Sequence, residues 1–166
     1  MERLWAPWRS QYVASVSEPN QDSGSCFLCE AIAKEPVYDR ELYILARWEH
    51  CFAILNRYPY NSGHVMVAPF RHVGELHELS QEELCALMVK TRDVIAALQR
   101  AFAPHGFNVG LNLGRAAGAG LPEHLHIHIV PRWYGDTNFL PVTADIKVIS
   151  HALEDVYEQL HGELHR

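Results

Sequence analysis

The chain has 166 residues, the size of one domain with an ordinary hydrophobic core. Hydrophobic residues make up 48% of it and charged residues 20%, which is typical of a globular protein and not of a disordered one. The formal net charge of -6 argues against a broad nucleic-acid surface and against a polybasic membrane surface. We expect a single domain over residues 1–166, with an aromatic lead-in at 1–25 and the core and C-terminal helix at 26–166.

The same sequence gives no sign of export or of a membrane span. No apolar run approaches the roughly 18 residues that a bilayer requires. The first residues lack the apolar stretch of a secretory signal, so we expect a cytoplasmic protein. Four cysteines and eleven histidines are present. Without export, a Cys-x-x-Cys pair such as Cys26 and Cys29 more often binds a metal or does redox work than forms a structural disulfide.

Hydrophobic patterning predicts five strands and two main helices. Ser80 and Glu83 form the capping-box signature of a long helix whose apolar residues recur at helical spacing. Alternation of apolar and polar residues marks the later strands. In chain order, the predicted elements are strands at 41–48, 50–55 and 63–69, a helix at 80–102, strands at 107–113 and 124–130, and a helix at 145–160. This order predicts an α+β fold, an antiparallel sheet with helices on one side.

The most informative segment runs His124-Leu125-His126-Ile127-His128-Ile129-Val130. In an extended strand, the three imidazoles would lie on one face while Leu125, Ile127 and Ile129 enter the core. Three adjacent rings indicate either a metal site or a nucleophile flanked by imidazoles, and a solvated face is the less favoured reading. The spacing of the histidines does not separate the first two.

A glycine-rich loop, residues 114–120, leads directly into this strand. Because most of its residues are Gly or Ala, few side chains shield its backbone N–H groups, and exposed N–H groups can bind phosphate oxygens. The loop lacks the ending of a P-loop, so by itself it is a weak signal. Together with a row of imidazoles it indicates phosphorus chemistry, in which a histidine nitrogen attacks phosphorus and forms a phosphoramidate.

These residues resemble the histidine triad family, whose motif is His-φ-His-φ-His-φ-φ with φ apolar. Residues 124–130 match the motif at every position. Residues 55–69 resemble the family's hairpin, and residues 107–114 its strand beside the site. Residues 4–9, 131–133 and 135–139 are similar to the bacterial diadenosine-polyphosphate branch. The resemblance implies a histidine triad fold, an α+β five-stranded antiparallel sheet with two main helices, and a homodimer.

The resemblance also implies roles for individual residues. His126 would be the nucleophile that becomes nucleotidylated, and His128 and His64 would stabilise the charge on the α-phosphate. The implied nucleotide-binding residues are Asn56 at the ribose, Asn112 at the phosphate chain, and the turn formed by Gly118, Ala119 and Gly120. A Gln or Ser often follows the glycines in the family, whereas this loop offers no side-chain donor there. The sequence therefore leaves phosphorolysis and hydrolysis open.

By spacing, Cys26 and Cys29 are half of a zinc site or a surface pair of thiols, because two ligands do not complete a tetrahedron. Several members of the family, and related uridylyltransferases, complete such a site with two histidines. The matching positions here are His72 and His124. The resemblance thus implies a structural zinc ion bound by all four residues, which ties the lead-in to the sheet and orients the catalytic strand.

The predicted activity is that of a nucleotidyl hydrolase or transferase acting on dinucleoside polyphosphates, with diadenosine tetraphosphate as the model substrate. We expect a nucleotide as the partner, with no nucleic acid and no membrane. Three alternatives stay open: a nucleoside phosphoramidate hydrolase, a nucleotide-binding sensor without turnover, and a triad that is itself the metal site.

Overall fold

The computed structural model describes residues 26–138, 143 and 148–166. Its core is a five-stranded antiparallel sheet of strands β1 Ile44–Arg47, β2 Cys51–Leu55, β3 Val65–Pro69, β4 Gly106–Gly110 and β5 Ile127–Arg132. The strand order is β1-β2-β3-β5-β4, so β5 inserts between β3 and β4. The α+β fold class is confirmed. The predicted lead-in lies outside the described residues.

Four α-helices flank the sheet in the described part of the chain: α1 Phe27–Ile32, α2 Asp39–Leu42, α3 Gln81–Phe102 and α4 Leu153–Leu164. Three 3-10 turns occur at Pro36–Tyr38, Leu76–Glu78 and Arg115–Ala117. The capping box that the sequence predicts is present at the start of α3, where Ser80 and Glu83 bond reciprocally. Within the described ranges, no helix is both long and apolar enough to cross a membrane.

Both faces of the central strands are buried, because alternate side chains belong to different clusters. One cluster joins Leu55, Val67 and Ile129 to helices α3 and α4. The other joins Phe52 and Met66 to α1. The two main helices therefore lie on one side as expected, whereas the short helix α1, which the sequence analysis missed, covers part of the opposite face.

Several predicted boundaries are wrong. The first strand begins at Ile44 instead of residue 41, because the chain still forms α2 and leaves it through Tyr43 in a left-handed conformation, with φ of 60°. The strand predicted at 107–113 ends at Gly110, before the loop begins. In the last predicted helix, residues 148–152 are not helical and α4 starts at Leu153; positions 145–147 lie outside the described residues.

The predicted histidine strand also begins later, at Ile127, and continues to Arg132. Leu125, Ile127 and Ile129 enter the core cluster as predicted. His124 and His126 therefore belong to the approach to β5 and not to its hydrogen-bonded ladder. Met66 of β3 pairs with His128 of β5, so His64, which directly precedes β3, lies close to His128 at the centre of the sheet.

Candidate active site and metal cluster

Four candidate metal ligands converge where α1 meets the approach to β5. Cys26 Sγ lies 3.2 Å from His124 Nδ1, and Cys29 Sγ lies 3.3 Å from His72 Nδ1 and 3.4 Å from His124 Nδ1. One ligand atom from each of these residues lies within 4.8 Å of all the others. The structure thus brings together all four residues that the sequence analysis named.

This donor set suits zinc. A tetrahedral ion with Zn–S bonds of about 2.3 Å and Zn–N bonds of about 2.0–2.1 Å separates its sulfur and nitrogen ligands by roughly 3.5 Å. The sulfur–nitrogen distances of 3.2–3.4 Å in the cluster are close to that spacing. Four protein ligands would complete the tetrahedron and leave no position for water, which is typical of a structural site.

His124 is oriented for this cluster by its second ring nitrogen. Nε2 lies 2.9 Å from the carbonyl oxygen of Pro69, which can only accept, so Nε2 carries the proton. Nδ1 therefore presents its lone pair to the thiols, which is the state that a metal requires. Burial lowers the pKa of His124 and keeps the ring neutral.

The same residue orients His126 through its backbone. His126 Nδ1 lies 2.8 Å from the carbonyl oxygen of His124, so Nδ1 carries the proton and donates it. Nε2 is then left with a free lone pair. Burial lowers the pKa of His126, which is 8% exposed, so the neutral form with its lone pair is favoured. The arrangement prepares one nitrogen as a nucleophile.

A directed chain of hydrogen bonds fixes the other two histidines. The Tyr60 N–H donates to His64 Nδ1 at 3.1 Å, so His64 carries its proton on Nε2. His64 Nε2 lies 3.0 Å from His128 Nδ1 and donates to it, which leaves the proton of His128 on Nε2. His128 therefore presents an N–H donor, and its ring centroid lies 4.7 Å from that of His126. An N–H donor beside His126 can stabilise an anion that develops next to that ring.

Burial and the neighbouring rings keep this pair neutral. Burial, followed by His128 and His126, lowers the pKa of His64 to about 3. Burial, followed by His126, lowers the pKa of His128 to about 4. Both rings are thus uncharged near neutral pH, and the hydrogen-bond chain from Tyr60 keeps a single direction.

Two asparagines lie beside the triad. The Asn56 Oδ1 accepts a hydrogen bond from the Tyr58 N–H at 2.9 Å, which turns its Nδ2 toward His64 Nδ1 at 3.4 Å. The Asn112 amide lies 3.4 Å from His128 Nε2, and its oxygen accepts from that nitrogen when the amide is rotated by half a turn. Both predicted nucleotide-binding asparagines therefore border the histidines.

The glycine-rich loop forms a 3-10 turn over Arg115–Ala117. The N–H groups of Gly118 and Ala119 close this turn on the carbonyls of Arg115 and Gly114, at 2.9 and 3.4 Å. The N–H of Gly120 bonds to no other atom of the described residues. Gly114 and Gly118 both have a positive φ, a conformation that favours glycine.

A cavity of about 610 Å³ opens beside the triad. We call it the α1 groove, because α1 forms one wall and the turn between β2 and β3 forms the other. Its apolar lining includes Ile54, Met66 and Leu121, whereas Asn56, Gly120 and His128 supply polar groups. A mostly apolar cavity with a few polar groups is typical of a small-molecule site.

The loop after β3 packs closely against the loop that leads to His124. A Cβ atom added at Gly74 would lie 2.6 Å from the carbonyl oxygen of Pro122. The Leu125 N–H donates to the carbonyl of Val73 at 2.7 Å. These contacts hold the segments of His72 and His124 side by side, and they escaped the sequence analysis because a lone glycine gives no pattern.

Comparison with known proteins agrees with this geometry. Residues 41–134 match the family model of the HIT domain. The chain is 42% identical over 164 residues to the AP-4-A phosphorylase of Mycobacterium tuberculosis, covering 98% of this chain and 84% of that protein. It is 35% identical over 104 residues to the bis(5'-nucleosyl)-tetraphosphatase [asymmetrical] of Schizosaccharomyces pombe, covering 63% and 55%.

A solved structure of a Zn-bound histidine triad family protein from Mycobacterium smegmatis shares the fold. Its TM-score is 0.67 at 23% sequence identity, with 85% of this chain and 94% of that chain covered. Taken with the sequence matches, the chain belongs to the HIT family, the histidine triad proteins. The resemblance inferred from residues 124–130 is confirmed.

Proposed function

We propose that this protein cleaves dinucleoside polyphosphates, such as diadenosine tetraphosphate, through a covalent nucleotidyl-histidine on His126. The observation that carries the proposal is the hydrogen bond from His126 Nδ1 to the carbonyl oxygen of His124, at 2.8 Å. It leaves the Nε2 lone pair free beside the donor of His128. The relatives named AP-4-A phosphorylase and bis(5'-nucleosyl)-tetraphosphatase support this substrate class.

In the first step, His126 Nε2 attacks the α-phosphorus and forms a P–N bond. The P–O bond to the bridging oxygen breaks, and the departing nucleotide takes the electron pair. His126 keeps its Nδ1 proton, and the carbonyl of His124 stabilises the positive charge on the ring. His128 Nε2–H donates to a non-bridging oxygen, while His64 holds the His128 proton in place.

In the second step, an oxygen of water or of inorganic phosphate attacks the same phosphorus. The P–N bond breaks and returns its electron pair to Nε2, and the acceptor loses a proton to solvent. Water as acceptor gives AMP and ATP from diadenosine tetraphosphate, whereas phosphate gives ADP and ATP. The 42% identity to a protein named AP-4-A phosphorylase favours phosphate as the acceptor.

The remaining predicted residues would hold the substrate. We propose that Asn56 binds the ribose and that Asn112 and the free Gly120 N–H contact the phosphates, with Gly118 and Ala119 shaping the turn that presents Gly120. The apolar part of the α1 groove would receive a nucleobase, because flat apolar rings are favourably removed from water there.

We further propose that Cys26, Cys29, His72 and His124 bind one zinc ion. Bound zinc would supply a structural crosslink among α1, the loop after β3 and the approach to β5. The chain's own contribution is the hydrogen bond from His124 Nε2 to the carbonyl oxygen of Pro69, which turns Nδ1 toward the ion. Thiol ligands need a reducing compartment, which supports a cytoplasmic location.

We also propose a homodimer. β4 lies at one end of the sheet, so one side of this strand has no partner among the described residues. Val109 on β4 is 46% exposed. A strand edge with exposed apolar side chains is a surface that a second copy can cover.

The test is product analysis with diadenosine tetraphosphate, with and without inorganic phosphate, on the parent protein and on His126→Ala. Phosphate-dependent formation of ADP and ATP is the result we expect. AMP and ATP in the absence of phosphate would identify a hydrolase instead. Cleavage of an adenosine phosphoramidate alone would overturn the substrate class, and tight nucleotide binding without a covalent intermediate would favour a sensor.

A further inference from the structure

Among the residues that the structure describes, the cations without a carboxylate partner lie at the α1 groove. Nearly every Lys and Arg in the described ranges has a carboxylate 2.6–3.4 Å from its side-chain nitrogen. The exceptions are Lys34 and Arg57, and both line the α1 groove together with His128. In a chain with a net charge of -6, cations left without carboxylate partners at one cavity point to an anionic ligand.

The backbone of Lys34 is held by a hydrogen bond, whereas its ammonium group has no carboxylate partner among the described residues. Arg47 donates to the carbonyl oxygens of Lys34 and Ile32, at 3.2 and 2.9 Å, and pairs with Asp39. The ammonium group bonds to no other side chain of the described residues. Glu30, four residues earlier on the same wall, forms no ion pair with it. Lys34 is thus placed at the groove with its charge available.

Arg57 projects from the opposite wall. Its Nη2 donates to the carbonyl oxygen of Glu41 at 3.3 Å, and its guanidinium lies 5.8 Å from the ring centroid of Tyr43. These contacts orient the side chain without neutralising it, and they use one of its five N–H donors. The adjacent turn is fixed, because Asn56 accepts from the Tyr58 N–H.

We propose that Lys34 and Arg57 form a cationic subsite for the phosphates of a polyphosphate substrate beyond the phosphorus that His126 attacks. This inference rests on the proposed function and deepens it. A chain of phosphates with several negative charges gains two charge-assisted contacts, whereas a nucleoside monophosphate has no phosphate to reach them. The subsite therefore selects dinucleoside polyphosphates over substrates with a single phosphate.

The test measures binding, so that it does not depend on turnover. Lys34→Gln and Arg57→Gln are made in the His126→Ala background, and the dissociation constants of diadenosine tetraphosphate and AMP are measured by calorimetry at several salt concentrations. We expect each substitution to raise the dissociation constant of the dinucleotide about tenfold and that of AMP less than twofold. The salt dependence of dinucleotide binding should decrease with each lost cation.

Matched variants identify the cause. Arg92→Gln removes a cation that pairs with Asp93 on α3 and does not line the groove, and it should leave both constants unchanged. Lys34→Arg and Arg57→Lys keep the charge and should retain most of the affinity. If the substitutions weakened the binding of AMP and of the dinucleotide equally, or weakened neither, the proposed subsite would be overturned.

The two proposals fail in different ways. In protein with an intact His126, absence of a nucleotidyl-enzyme detectable by mass spectrometry would overturn the proposed function. The binding comparison would still show whether Lys34 and Arg57 distinguish polyphosphate from monophosphate.

Discussion

The side chain of His124 belongs to the candidate metal cluster, while its backbone carbonyl accepts a hydrogen bond from His126. Its Nδ1 lies 3.2 Å from Cys26 Sγ, while its carbonyl oxygen lies 2.8 Å from His126 Nδ1. One residue therefore supplies a candidate zinc ligand and also fixes the protonation state of the proposed nucleophile, His126. Because this segment precedes the ladder of β5, the cluster and the loop contacts hold it in place instead of strand pairing.

Replacement of His126 by alanine should reduce turnover of diadenosine tetraphosphate by about three decades or more, because the attacking nitrogen is removed. Nucleotide binding should survive, since the groove is lined by other residues. Steady-state kinetics and calorimetry measure the two quantities. His77→Ala changes an exposed histidine outside the site and serves as the control. Full activity of His126→Ala would remove the nucleophile from the mechanism.

Replacement of Cys29 by serine should abolish zinc binding. Elemental analysis of the parent protein should give about one zinc per chain, and the variant should contain almost none. Loss of a structural ion should lower the Tm by roughly 10 °C. Cys85→Ser is the matched control, because Cys85 is an exposed thiol outside the cluster. Equal zinc content in Cys29→Ser and the parent would contradict the cluster.

Acid should destabilise the protein through the buried histidines. In the folded state, the pKa of His64 lies at about 3 and that of His128 at about 4. An unfolded histidine titrates near pH 6.5, so below that pH the unfolded chain binds more protons. The stabilisation is therefore complete above about pH 6.5 and is lost as the pH falls toward the folded values.

The size of this effect can be checked by urea unfolding at pH 6.5 and 5.0. Protonation of each histidine in the unfolded chain should lower the free energy of unfolding by about 1.5 kcal/mol over that interval. His64→Asn should show a smaller loss, because one of the two groups is gone while the four cysteine and histidine ligands remain. Parallel pH curves for the parent and this variant would exclude a contribution from His64.

Replacement of Gly74 by alanine should destabilise the fold by about 1–3 kcal/mol, since the new Cβ would meet the backbone of Pro122. Displacement of that loop should also lower the affinity for zinc. Gly162→Ala is the control: it lies within α4 with nothing near its Cβ position, and should stabilise by about 0.5–1 kcal/mol. Denaturation and a zinc competition assay separate the two effects.

The sequence predicts correctly those motifs in which the local pattern and the tertiary structure agree. The capping box at Ser80 and the alternation of Leu125, Ile127 and Ile129 both depend on near neighbours, and both are present. Cys26, Cys29, His72 and His124 were grouped through family resemblance, and the structure brings them together.

What the sequence analysis missed depends on long-range contacts. Helix α1 has only six residues, too few for a clear periodic signal, and is stabilised by packing against Phe52 and Met66. The donor to His64 is the backbone N–H of Tyr60, which no side-chain pattern reveals. Lys34 and Arg57 are distinguished only by the ion pairs of the other described cations, and several of those pairs join residues far apart in the sequence.

The insertion of β5 between β3 and β4 has a consequence for synthesis on the ribosome. His64 leaves the exit tunnel long before His128, and the strand that carries His128 closes the sheet last among the five. Until that strand arrives, β3 and β4 have no shared neighbour and the imidazoles cannot meet. A growing chain therefore has no triad, and nucleotide chemistry becomes possible only as the domain completes its fold.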